Sequence, residues 1–422
     1  MKTSKKILCV LCSAVLLAAT ACSTAGDTVI TPQNEQIEIS LSWWGNDGRN
    51  QYTIEAVEAF EEKYPDIKVD CSYSEWSGYE ARARVQMISD TEADVMQINY
   101  GWLSQYSPNG DGYYDINDLY DEFALENFSE DVLRYGQMNG HQNAIPIAMN
   151  AETVYINKTI WDKYGLDVPK TWDDLFKAAE KMRKDGIYPL SAASKSMWLY
   201  LITYTEQAQK KPFLKEDGSL NFNAADLRVM IEFYQRLVDE KVFPQVDFYE
   251  RVLLDNETYA GAVAWISDAT NYFGEAVENG REIVAAPYTT MAGAKEGDGW
   301  YAKPATMYAV SKNTEHPHEA GLLLNFLMNS EEMAVLQGIE KGIPLSSSAK
   351  RAIESEGLLT GIQYEASQVM ENCGTIGELD PILESSGMIE DFFSAANDVM
   401  YEVTPIEEAS DALLQKLRAD YF

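Results

Sequence analysis

Histidine, cysteine and positive charge are all scarce in this chain. Three histidines in 422 residues leave almost nothing from which to build a Ser-His-Asp triad. Neither a Gly-x-Ser-x-Gly elbow nor a phosphate-cradling glycine loop occurs. His316 and His318 would need further ligands to hold zinc, and their place just before a helical pattern suits a turn better. Asn109-Gly110-Asp111-Gly112 opens like a calcium loop but lacks the later glutamate. Neither a metal nor a cofactor is therefore expected. With 33 basic against 67 acidic residues the formal net charge is -34. Such a field repels nucleic acid and anionic lipid, keeps a protein soluble and monomeric, and leaves a neutral solute unaffected.

What is present begins with an export signal. Lys2, Lys5 and Lys6 precede an apolar run from Ile7 to about Ala18, too short for the roughly 20 residues that cross a bilayer. Ala19-Thr20-Ala21-Cys22 follows and looks like a bacterial lipobox, except that Ala19 stands where leucine is usual. Segment 1–22 is thus a lipoprotein signal with Cys22 as the acylated anchor, plain cleavage and release being the alternative. Segment 23–35 is polar and aperiodic, as a flexible tether would be. Of the five cysteines, Cys9 and Cys12 leave with the signal. Cys71 and Cys373 remain, either as two isolated thiols or as a disulfide in an oxidising exterior.

About 400 residues after the signal exceed what one hydrophobic core serves, so two lobes are expected. The pattern alternates strands and helices from the start. Ile37 to Trp44, Ile67 to Tyr73 and Ala93 to Ile98 read as strands, with helices over Tyr52 to Tyr64 and Tyr79 to Ser89. That βαβαβ order predicts a parallel sheet whose ligands bind beyond the carboxyl ends of its strands. A second lobe begins near Ile145-Pro146-Ile147, with a strand at Thr153 to Ile156, a capping box at Thr171 to Asp174 and a tight turn at Asp217-Gly218. Ala260 to Ser267 is a further buried strand. Gly297 to Tyr301 forms a glycine-rich loop before a strand at Thr306 to Ser311, and a helix spans about His318 to Met328. The expected fold is α/β and two-lobed, each lobe a mainly parallel sheet flanked by helices, joined by a multi-strand hinge. The first lobe comprises 36–145 and 303–329, the second 146–302 and 330–422.

Tryptophan is the residue in surplus. Several of the nine sit where a strand gives way to a loop or helix, beside carboxylates, guanidinium and amides. Flat apolar rings next to polar groups suit a ligand with an apolar face and many hydroxyls, which is a sugar.

The chain resembles the extracellular solute-binding proteins of carbohydrate ABC importers, the group related to the maltose-binding protein, over nearly its whole mature length. The landmarks, in order, are Ser42-Trp43-Trp44-Gly45, Phe60 to Val69, Trp76-Ser77-Gly78-Tyr79, Asp94 to Gln97, Tyr155 to Lys158, Pro169 to Leu175 and His318-Glu319-Ala320. What this implies is a type II clamshell that closes on a sugar or oligosaccharide and hands it to a permease, with no enzymatic step.

Candidate stacking platforms are Trp44, Trp76, Trp265 and Trp300, with Asp47, Arg49, Asn99, Asn150 and Asp268 as hydroxyl partners. Tyr79, Tyr100, Trp102 and Tyr301 lie beside them. Trp43 alternates with Trp44 along the strand and is expected in the core; Trp161 and Trp172 are read as packing residues, and Trp198 stands open between core and cleft. Arg49 has a solvated loop charge as its bland alternative. Neutral oligosaccharides fit the overall charge better than acidic ones. A glycoside hydrolase also sets carboxylates among tryptophans, and a surface adhesin would use the cleft for a macromolecule. A ferric-ion binder would need clustered tyrosines, legible only at Tyr113-Tyr114.

Overall fold

Eleven strands, numbered in chain order, organise the described residues. β1 (Ile37–Trp44) pairs in parallel with β2 (Ile67–Ser74) along its whole length, and on its other edge with β3 (Val95–Ile98). The first helix, Asp47–Lys63, starts earlier than expected because the Asn46 side chain accepts a hydrogen bond from Arg49 N and caps it. Asp47 and Arg49 therefore lie in a helical turn, not a loop. The second helix, Trp76–Ser89, likewise begins at its tryptophan. The computed structural model describes residues 36–245 and 258–422; the signal, Cys22 and the tether lie outside the described residues.

A small hairpin, β4 (Gln137–Met138) and β5 (His141–Gln142), precedes β6 (Ile145–Asn157), which is 13 residues long. Its first half pairs with β10 (Tyr301–Val310), and its second half with β8 (Gly261–Trp265) and β9 (Ile283–Ala286). β10 in turn lies antiparallel to β3, and β11 (Gly377–Glu378) pairs with its start. The continuous order is β2-β1-β3-β10-β6-β8-β7, with β7 (Ser191–Ala192) parallel to β8. β6 and β10 thus cross from one lobe to the other and form the hinge.

The second lobe departs from the expected mainly parallel sheet. β8 and β9 both run antiparallel to β6, and only β7 with β8 is parallel. The cause is the crossing itself: a strand shared by two lobes enters one of them against the local direction, as β10 does beside β3.

The lobes have separate cores. Trp43, Phe60, Val95, Leu323 and Phe326 anchor one, and Trp161, Trp172, Trp198, Leu227, Tyr234 and Phe392 the other. Helices Glu331–Gln337 and Ser347–Ser355 stay with the first core through Met333 and Ala334, while Ala366 of helix Ile362–Asn372 packs on the second lobe beside Ala262 and Phe273. Local signals are realised where they were strongest. Thr171 and Asp174 form the capping box, and Gly218, at φ 77°, turns the hairpin bridged by Leu214 and Leu220. Cys71 and Cys373 are both free and half-buried. Among the described residues no helix is long and apolar enough to cross a membrane.

Trp198 is fully buried and its Nε1 donates to Leu383 O at 2.9 Å. Trp198→Ala should cost about 3–5 kcal/mol, as large-to-small core changes do. A lowered urea midpoint at unchanged denaturant slope is the expected reading; an unshifted midpoint would place this ring outside the core.

Candidate functional site: a cleft between two lobes

Where β1 ends, alternation sends its two indoles to opposite faces. Trp43 is buried, stacked on Tyr73 at 4.8 Å, with Nε1 donating to Asn50 Oδ1 at 3.0 Å. Trp44 is half-buried and meets Trp76 edge-on at 4.9 Å. Trp76 in turn lies 6.0 Å from Trp102 in a stacked arrangement. Trp102 and Tyr79 are parallel to each other within 4° and almost wholly buried. These two back the wall rather than present it, contrary to expectation. Tyr79 explains why: its hydroxyl donates to Gln97 O at 2.7 Å, underneath the sheet end. Trp76 keeps 37% of its surface exposed, so the open part of the cluster is Trp44 and Trp76.

The polar residues of this lobe have mixed fates. Asp47 is exposed. Arg49 is committed to Glu340, Nε to Oε1 at 2.9 Å, and so is neither a free hydroxyl partner nor a solvated charge. Asn99 Oδ1 accepts from Gly101 N at 3.0 Å and shapes the loop after β3. Tyr100 reaches across to the other lobe, donating to Glu378 Oε1 at 2.6 Å.

On the second lobe, Asn150 is buried and clasps the end of β8, its Nδ2 donating to Ser267 Oγ at 3.0 Å and its Oδ1 accepting from Ser267 N at 3.1 Å. It positions the turn that carries Asp268. Trp265 and Asp268 line one cavity of about 180 Å³ with Lys195, Ser196 and Tyr272, beyond the carboxyl ends of β7 and β8. Trp300 is not there. It is 3% exposed, packed on Tyr288 and Tyr200, with Nε1 donating to Thr289 O at 3.3 Å. Trp198 is core as well. Tyr301 donates to Glu206 and lines a separate open cavity of about 610 Å³ with Tyr100 and Glu378.

Several polar residues around the second-lobe cavity were not anticipated. Lys303, on β10 and only 7% exposed, holds its ammonium 4.8 Å from the Trp265 ring and pairs with Glu384. Lys195 bonds the other Glu384 oxygen at 3.1 Å. Burial draws Lys303 below its usual range, and Glu384, against the effect of its own burial, is held low by the two lysines. Glu152, directly across from Trp265 on β6, accepts from Ser196 Oγ at 2.8 Å. Burial pushes its carboxyl up to about 8, with Ser196 opposing. An acid inside the apolar run of β6 was the one signal available; Lys195 and Glu384 are too distant in sequence to pair by pattern.

The hinge brings the two walls together. Met307 on β10 pairs with Ile98 at the end of β3, and Lys303 lies four residues earlier on the same strand, about 13 Å away at about 3.3 Å per residue.

Two α/β lobes joined by shared strands, with aromatic and polar side chains at the strand ends, are the architecture of a solute-binding protein. The chain belongs to the bacterial extracellular solute-binding protein family, whose family model matches residues 46–334. It is 23% identical over 412 residues to an ABC transporter extracellular-binding protein of Pyrococcus horikoshii, covering 92% of this chain and 88% of that one. A periplasmic oligogalacturonide-binding protein from Yersinia enterocolitica, solved with saturated digalacturonic acid, superimposes with TM-score 0.81 at 28% identity, over 91% of this chain and 98% of its own. A periplasmic solute-binding protein from Pectobacterium atrosepticum gives TM-score 0.84 at 28% identity over the same shares.

Glu384→Ala would leave Lys303 buried without its counterion, at a cost of about 3 kcal/mol. Thermal unfolding of this variant should fall well below wild type, with Lys303→Met in the same background recovering most of the loss. A fall that the second change does not reverse would show that the pair is not what Glu384 supports.

Proposed function

We propose that this protein is the sugar- or oligosaccharide-binding component of an ABC importer, working as a monomer at the cell surface. The observation that carries this is the distribution of open indole surface. Trp44 and Trp76 face outward on one lobe, and Trp265 lies beside Asp268 in a cavity of the other. Sugar rings offer C–H faces to such indoles and hydroxyls to the polar groups around them, each buried hydroxyl needing partners to avoid a penalty of about 1–3 kcal/mol. The Yersinia relative, solved in complex with saturated digalacturonic acid, supports the same ligand class.

The bodies that move are 36–145 with 303–355, and 146–302 with 362–422. A ligand touching both shifts the equilibrium toward closure by its differential affinity for the closed form, and the closed form is what the permease engages. No bond is broken, so incubation with oligosaccharides should release no new reducing ends; turnover would favour the glycoside hydrolase reading. Lipid attachment at Cys22 belongs to the same proposal. Cys22→Ala should move the protein from the membrane fraction to the medium, and retention on membranes would refute the anchor.

A glycan panel read by tryptophan fluorescence should find the ligand. Trp265→Ala should then weaken binding by about 2–4 kcal/mol in calorimetry without unfolding the protein, the loss typical of a buried anchor. Unchanged affinity would remove Trp265 from the site.

A further inference from the structure

Lys195 lines the second-lobe cavity, and Lys303 lies behind it against the Trp265 ring. Each takes one oxygen of Glu384, so that two ammonium groups share a single carboxylate. Helix Ser194–Gln209 begins at Ala193 with no side-chain cap, and its first turn lines the cavity through Ala193, Lys195 and Ser196. The amides of such a turn, and the dipole of a 16-residue helix behind them, attract negative charge. Asp268, the one carboxylate lining this cavity among the described residues, already has a partner of its own.

Glu152 completes the set. It is 4% exposed and sits between two lining residues, bonded to Ser196 and cross-strand from Trp265. Its Oε1 accepts from Ser196, and its buried Oε2 has no partner. With its carboxyl pushed up to about 8, Glu152 carries its proton near neutral pH, and Oε2 is the oxygen free to donate.

We propose that this cavity is the subsite for a carboxylate borne by the ligand, a uronic-acid residue, held by Lys195, the first turn of the 194–209 helix and the free oxygen of Glu152. The inference rests on the sugar-binding reading of the cleft and narrows it. It also reverses the preference for neutral oligosaccharides drawn from the net charge of -34. Exposed charges farther than a Debye length of about 8 Å are largely screened at physiological salt, so Lys195 in the cavity wall and Lys303 behind it decide.

The proposal carries a pH signature. The titratable groups around Glu152 are Asp268, Lys195 and Glu384, with Lys303 and the hydroxyls of Tyr155 and Tyr288 also close enough to feel it. As pH rises through about 8, Glu152 loses its donor proton and sets a negative charge beside the ligand carboxylate. Binding of an acidic ligand should weaken over that interval.

The test is calorimetry on the mature chain with a panel of uronic-acid oligosaccharides, each beside its methyl ester and its neutral counterpart. At least one acid should bind about tenfold or more tighter than its ester. Lys195→Gln, at a half-buried position on the first turn of its helix, should shrink that ratio toward one. Glu152→Gln keeps a donor and should remove the alkaline weakening. A panel in which esters or neutral sugars match or exceed every acid overturns the proposal and leaves the sugar reading standing, as does a Lys195→Gln variant with an unaltered ratio. Absence of binding to any sugar, acidic or neutral, overturns both.

Discussion

Everything in this molecule depends on two strands that belong to both lobes. β6 lends its first half to the sheet carrying β1, β2 and β3 and its second half to the sheet carrying β7, β8 and β9, while β10 runs beside it across the gap. The shared ladder fixes the separation of the two walls. It also sets the polarity of the second sheet, and it places Asn150, Glu152 and Lys303 at the crossing, where a ligand would meet both halves. Side chains on a hinge strand are held by backbone pairing on either side, so their positions are set by the sheet rather than by loop packing.

The parts of the fold that could be read from the residues were those with local causes. Period-two alternation separates Trp43 from Trp44, the capping box at Thr171 starts its helix, and Asp217-Gly218 turns its hairpin because each signal is complete within a few residues. Non-local arrangement was hidden. The antiparallel run of β8 and β9 follows from where β6 comes from, and the packing of Met333 on the first core joins segments far apart in sequence. Tryptophans at strand ends mixed two populations that composition does not separate. Trp44, Trp76 and Trp265 keep an open surface, whereas Trp198 and Trp300 spend their N–H on backbone carbonyls inside the core.

The electrostatics of the protein work on two scales. A large acidic excess covers the surface, and the two lysines buried among the described residues are held differently: Lys341 by Gln97 and the Tyr308 hydroxyl, Lys303 by Glu384. At Lys303 the ammonium also has an indole face beside it. The surface field suits a protein that must remain dispersed outside the cell, and the interior charges keep their partners away from that field.

The crossing strands contain an unusual pair of residues. Pro146 and Pro304 both lie within the β6–β10 ladder, Pro146 opposite Met307 and Pro304 opposite Met149, and the register slips between Pro304 and Met307. Proline brings no amide hydrogen to a ladder, so neither residue can donate within the β-structure that bridges the halves among the described residues. Torsional compliance is thereby concentrated in a few residues of otherwise stiff sheet, and a rotation of one half against the other would be absorbed there, leaving the aromatic and charged surfaces on either side to travel as undistorted bodies.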